Sequence, residues 1–152
     1  MERLLLALVL VLVAVVVAVI LQRRKPAPPT TPEWNIPIQL DRKDFERPDA
    51  PWFVAVFTSA TCDTCSGVYS RAVPLDAGPD GPVCVQEIEV GADPELHRRY
   101  GIDAVPLVLI ADGDGVVVEH FLGPVTATDL WAAVAEAREP GSTPDGCSNH
   151  ED

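Results

Sequence analysis

The sequence predicts an α/β domain built on a mixed central sheet. Short apolar runs at 52–57, 83–90 and 107–111 have the length and composition of buried strands. Segments with helix signals stand between them, so the connections are crossovers. A turn at 112–115 then separates two strand-like runs, which makes the final pair an antiparallel hairpin.

Residues 4–21 are Leu, Val, Ala and Ile without a charge. As a helix they would span roughly 27 Å, close to the hydrocarbon thickness of a bilayer. A cleaved signal peptide is the competing assignment. The run is longer than a usual signal core, and Gln22-Arg23-Arg24-Lys25 stands where small residues would mark cleavage. The expectation is an uncleaved single-pass anchor in the cell membrane. The positive charges after the segment outnumber Arg3 before it, so the positive-inside rule places the following domain in the cytoplasm. The extracytoplasmic side is the alternative.

Residues 22–35 form a linker, with Pro26, Pro28, Pro29 and Pro32 favouring extended polyproline II. The domain is expected over 36–139. A first short strand is predicted at 36–40, then a polar turn at 41–45 with Phe45 as its apolar anchor. Residues 52–57 are apolar throughout, which suits a strand covered on both faces. A helix is expected over 66–73, stopped by Pro74, and Gly78, Pro79, Gly81 and Pro82 mark a loop. Residues 83–90 alternate in part and read as a second core strand.

Asp93, Pro94 and Glu95 open a further helix, which Gly101 ends after Tyr100. Residues 107–111 and 116–121 are the hairpin strands. The turn between them superficially resembles a calcium loop, but no glutamate follows at the required spacing. Thr126 caps a last helix with Leu130, Val134 and Ala137 on one face. The tail at 140–152 is Gly, Ser, Thr, Pro and acids, a composition that favours disorder.

The net charge of −12 is uneven: from Pro26 onward, 7 basic residues face 22 acidic ones. Such a surface does not fit nucleic acid, whose phosphates require a basic patch. With four cysteines the chain is no disulfide-stapled miniature. No cofactor motif occurs, neither a Gly-rich phosphate loop nor a zinc-protease helix. A zinc site would need four ligands, and Cys84, Cys147, His97, His120 and His150 offer no second close pair beside Cys62 and Cys65.

Cys62-Asp63-Thr64-Cys65 lies where the 52–57 strand turns into a helix. A helix start carries unpaired N–H groups and positive dipole character, which favours a thiolate. Asp63 acts in the opposite sense, so a mild thiolate suited to reduction or neutral exchange is expected. C-x-x-C at a strand–helix junction is a sign of a thioredoxin-like redox site. Cys84, mid-strand, is expected as a buried inert thiol, and Cys147 as an exposed one. His97 is expected on an exposed helix face, and Trp34 and Trp131 as packing or interface aromatics.

These features, with Tyr100-Gly101-Ile102-Asp103-Ala104-Val105-Pro106 and the closing Phe121-Leu122-Gly123, resemble the thioredoxin-like superfamily over about residues 51–138. The resemblance implies a three-layer thioredoxin-like fold. It implies that Cys62 is the attacking cysteine and Cys65 the resolving one. It implies that Pro106 is a cis-proline beside the dithiol, and that the Val105 backbone pairs with a substrate segment. Thr61 stands where many members carry Trp, and joins Val105 and Pro106 as a candidate substrate contact. The chain departs from classical members there and at three further places: Val56 replaces a buried Asp, Asp63-Thr64 replaces Gly-Pro between the cysteines, and Leu107 replaces a Thr. The implied activity is thiol–disulfide exchange with protein thiols or disulfides, using an electron donor or acceptor the sequence does not name. The alternative is a non-catalytic binding or scaffolding module of the same fold.

Overall fold

Trp52–Thr58 (β1) is buried from Phe53 to Thr58, with side chains taken up alternately by the two faces of the sheet. In this computed structural model, which describes residues 34–142, β1 has a strand on each side. Val83–Glu89 (β2) runs parallel to it, and Leu107–Asp112 (β3) runs antiparallel. Val117–Leu122 (β4) completes the order β2-β1-β3-β4 as an edge. The expected mixed sheet is therefore present. The anchor assigned to 4–21, residues 22–33 of the 22–35 linker and residues 143–152 of the 140–152 tail lie outside the described residues. Among those described, no helix is long and apolar enough to cross a membrane.

Three helices cover the sheet. Cys65–Ala72 (α1) and Ala127–Arg138 (α3) share one face, where Val54, Val56, Val108 and Ile110 meet Val68, Ala72, Leu130 and Val134. Pro94–Tyr100 (α2) lies on the other. There Phe53, Phe57, Ile88, Leu107 and Leu109 pack with Leu40, Phe45 and the partly buried Leu96 and Tyr100. The period-two alternation of β1 feeds both cores. Burying each large apolar side chain of this kind contributes about 1.5–3 kcal/mol.

The helix boundaries follow the capping chemistry. The Thr126 hydroxyl accepts from the Asp129 N–H at 3.1 Å. Gly101 ends α2 in the left-handed region, at φ 62°. Pro94 occupies the first turn of α2 as expected, but the Asp93 side chain makes no capping bond. Its carbonyl accepts from Leu96 and His97 instead. Past α1, Val73–Leu75 continues as a 3-10 turn through Pro74, whose missing N–H is tolerated there.

Three expectations are corrected. Residues 36–40 do not form a strand. Gln39 makes one isolated bridge to Val116, with Leu40 N–H donating to Gly115 and Val117 N–H to Ile38. Pro37 has no N–H to extend a ladder, and Ile38 is 80 % exposed between the partly buried Ile36 and the buried Leu40, so no continuous buried face fixes a strand register. Gly115 permits this approach: at its φ of 82°, a Cβ would lie 2.0 Å from the Leu40 carbonyl oxygen.

His97 is not exposed but buried. Its Nε2 lies 2.9 Å from the Ile88 carbonyl, and its ring meets Phe57 edge-on. Arg42, inside the predicted polar turn, is also buried. Its guanidinium lies 4.3 Å from the centre of the Phe53 ring and donates to the Arg47 and Ala50 carbonyls. Nε and Nη1 of Arg42 have no hydrogen-bond partner, and burial lowers its pKa.

Tyr100 ties α2 to the 41–45 turn. It donates to Asp44 at 2.5 Å and accepts from the Asp41 N–H at 3.0 Å. Burial, then the Asp44 bond, pushes its phenol up to about 12.

The loop between α1 and β2 is held by Arg47 and Asp76. Arg47 Nη2 lies 2.6 Å from Asp76 and 2.9 Å from the Val83 carbonyl, and Nη1 donates to Gly78. Asp76 also accepts from the Gly78 and Val85 N–H groups. Burial pushes the Asp76 carboxyl up, but the Val85 and Gly78 donors and Arg47 together hold it below its ordinary range. A depressed carboxyl contributes stability that is complete above its unfolded pKa and is lost as pH falls through the folded one. Asp76→Asn is therefore expected to cost about 1–3 kcal/mol at neutral pH. Urea unfolding should show that deficit shrinking as the pH falls below the ordinary carboxylate range and through the depressed folded-state pKa.

Candidate dithiol site

The register of β1 decides what meets at its carboxyl end. Phe57 pairs with Leu107, so the start of β3 lies beside the end of β1. Thr58 pairs with Glu89, so the end of β2 lies on the other side. The loop leaving β1 therefore starts between Leu107, the first residue of β3, and Glu89, the last of β2.

That loop carries Cys62 and reaches α1 at Cys65. It folds on itself: Cys62 N–H donates to the Ser59 carbonyl at 3.0 Å, and Cys65 N–H to the Cys62 carbonyl at 3.4 Å. The Ser59 and Thr61 hydroxyls lie 3.0 Å apart. Cys62 and Cys65 form a disulfide with Cα atoms 5.5 Å apart, inside the usual range. The two sulfurs differ in access. Cys62 is half-buried, in the turn before the helix, while Cys65 is the first helical residue and 2 % exposed. The Cys62 sulfur lies 3.7 Å from the Thr64 hydroxyl. Thr61 and Asp63 are exposed on either side of Cys62.

The Val105–Pro106 peptide bond is cis. Pro106 is buried and its carbonyl accepts from the Gly123 N–H at 2.8 Å, while Val105 is half-buried. This bond joins the two sequence stretches that flank the final hairpin. Val56 and Leu107 are 0 % and 1 % exposed, so these two departures from the resembled pattern are apolar core positions.

The third cysteine among the described residues, Cys84, is free, 1 % exposed, and donates toward the Glu46 carbonyl at 3.5 Å. Burial pushes its thiol up. It lies in the core, as the mid-strand position leads one to expect. Trp131 is 45 % exposed and donates from Nε1 to the Arg71 carbonyl at 2.8 Å, joining α3 to α1. Among the described residues no three His, Cys, Asp or Glu side chains are grouped to hold a metal ion.

Sequence reasoning missed two carboxylates on β2. Glu87 accepts from the hydroxyl of Thr58, itself 1 % exposed, at 2.9 Å. Glu89 accepts from the Ala60 N–H at 2.9 Å, within the dithiol loop. It also accepts from Gly91 at 2.8 Å and Ala92 at 2.9 Å. The Ala60 N–H does most to hold the Glu89 carboxyl below its ordinary range. Burial opposes this, and the Ala92 and Gly91 donors add to it. The one signal in the sequence was the i, i+2 spacing of two acids at a strand's end, which places them on one face.

No protein-family model matches the chain, and no curated protein matches it. Solved structures do. One, described as a malarial protein, is 14% identical over 57% of this chain and 96% of its own, with a TM-score of 0.50. A malaria parasite thioredoxin-2, described as a component of the protein secretion machinery, is 14% identical over 57% of this chain and 82% of its own, also at 0.50. A mutant thioredoxin from Halobacterium salinarum is 24% identical over 59% of this chain and 75% of its own, at 0.49. At such identities the likeness concerns the fold, and the mixed four-stranded sheet with its three helices is thioredoxin-like.

Proposed function

We propose that the chain is a membrane-tethered thiol–disulfide oxidoreductase that exchanges disulfides with protein partners through Cys62 and Cys65. The observation that carries this reading is the disulfide itself, with Cys62 half-buried in the turn before α1 and Cys65 buried at the start of the helix. Two cysteines of unequal access divide the labour of exchange.

In the reducing direction, the Cys62 thiolate attacks one sulfur of a partner disulfide. The other partner sulfur leaves as a thiolate, and a mixed disulfide forms. Cys65 then gives up its proton and attacks the Cys62 sulfur. The second partner sulfur leaves, and the Cys62–Cys65 bond closes. Two electrons pass from the dithiol to the partner. The reverse sequence oxidises the partner, and the direction depends on the dithiol's potential against its compartment. Asp63 beside Cys62 favours the reducing direction, since an anionic neighbour disfavours a second negative charge. Thr61, Val105 and Pro106 border the disulfide in this reading and contact the partner's extended backbone.

Residues 4–21 supply the tether and 22–35 the spacer. The excess of Arg and Lys after residue 21 favours a cytoplasmic domain, with the extracytoplasmic side as the alternative. The apolar Val56 and Leu107 favour a second reading, a binding or scaffolding module of the same fold.

Three measurements test these statements. The full-length chain in detergent should reduce insulin in the presence of a dithiol donor, whereas Cys62→Ser should not exceed background. No turnover above that control ends the exchange reading in favour of the module. After reduction, brief alkylation followed by mass spectrometry should label Cys62 well before Cys65 and Cys84; equal labelling would contradict the division of roles. Protease should cut the domain in inverted vesicles and spare it in intact cells, and the opposite pattern places it extracytoplasmically.

A further inference from the structure

We propose that Glu89 is a positioning residue for the dithiol, holding the Cys62 loop against the turn between β2 and α2. The inference rests on the exchange reading above and names a part of that site outside the Cys-x-x-C motif.

One carboxylate takes three backbone donors from two separate segments. Oε1 accepts from Ala60, two residues before Cys62. Oε2 accepts from Gly91 and Ala92, between β2 and α2. A charged acceptor makes stronger hydrogen bonds than a neutral one, so the loop is fastened to β2 at its amide. The bond involves neither sulfur, so opening the disulfide does not by itself break it. The same strand face holds the end of β1 through the Glu87 bond to Thr58.

A second observation points to the same role. Gly91 has no Cβ, and one built there would lie 2.8 Å from Oε2 of Glu89. The turn therefore leaves room for the carboxylate where any other residue would push it aside. Reaction geometry is sensitive at this scale, since a displacement of about 1 Å can cost on the order of a hundredfold in rate.

The test uses the full-length chain in detergent and three variants. Glu89→Ala removes all three acceptor bonds. Glu89→Gln keeps one carbonyl oxygen that can accept from Ala60. Gly91→Ala crowds Oε2 and leaves Glu89 in place. The readouts are insulin turnover resolved into kcat and KM, the Cys62–Cys65 potential against glutathione, and hydrogen exchange at the Ala60 amide.

Glu89→Ala should lower kcat about tenfold or more, shift the potential and speed exchange at Ala60, with little change in KM. Glu89→Gln should recover most of kcat, and Gly91→Ala should fall between. Wild-type kcat and potential in Glu89→Ala, or a Gln variant no better than the Ala variant, would overturn the proposal. If Glu89→Ala does not fold, Gly91→Ala decides: a faster-exchanging Ala60 and a shifted potential support positioning, and their absence refutes it. If the wild-type chain has no turnover, the exchange reading fails by itself. Potential and Ala60 exchange then still judge Glu89.

Discussion

The two-sided burial of β1 is the constraint on which the rest depends. Phe53 and Phe57 face one core, and Val54 and Val56 the other, all fully buried. A strand buried on both faces cannot slip by one residue without exchanging its two side-chain sets. That fixes the register with β2 and β3 over the whole strand. The fixed register delivers Thr58, Glu89 and Leu107 to one end of the sheet, and with them the dithiol loop, the β2–α2 turn and the cis Val105–Pro106 bond. The chemistry at that end is polar and exposed, but its placement is set by apolar burial beneath it.

Much of this architecture was legible because the signals were local. The apolar runs of β1, β2 and β3, Pro94 opening α2, Gly101 ending it and Thr126 capping α3 each act through neighbours in sequence. What was not legible depended on distant partners. The 36–40 segment looked like a strand by composition, yet Pro37 and the exposed Ile38 left it with a single bridge. His97 looked like an exposed polar residue on a short helix. Its burial depends on Phe57, on a strand far earlier in the chain, and on the Ile88 carbonyl of the strand before the helix. Arg42 is buried for a similar reason, since the Phe53 ring beneath it comes from β1.

The site divides along the same line. The Cys-x-x-C spacing and the segment ending in Val105-Pro106 could be read directly, because those residues are contiguous in the chain. The carboxylates of β2 could not. Glu87 and Glu89 matter through Thr58 and Ala60, some thirty residues earlier, and the pairing of β1 with β2 brings them together. Their positions also show how the polar content of this end is arranged. Val56 is a core residue of β1, and its neighbour across the sheet is Glu87. The carboxylates lie on the adjoining strand and address the end of β1 by hydrogen bonds from its side.

This arrangement bears on how exchange would survive its own intermediate. Once Cys62 is joined to a partner, the bond to Cys65 is gone, and the covalent restraint on the loop goes with it. Cys65 must nonetheless remain close enough to attack, and the advantage of an intramolecular attack depends on that proximity being held in advance. The remaining restraints do not pass through sulfur. Cys62 N–H bonds to Ser59, Ala60 N–H bonds to Glu89, and Cys65 belongs to a helix whose Val68 and Ala72 are buried in the core. The loop is thus anchored at both ends, to β2 on one side and to α1 on the other. In such an exchange the sulfurs of Cys62 and Cys65 would trade bonds, and none of these backbone restraints has to break for them to do so.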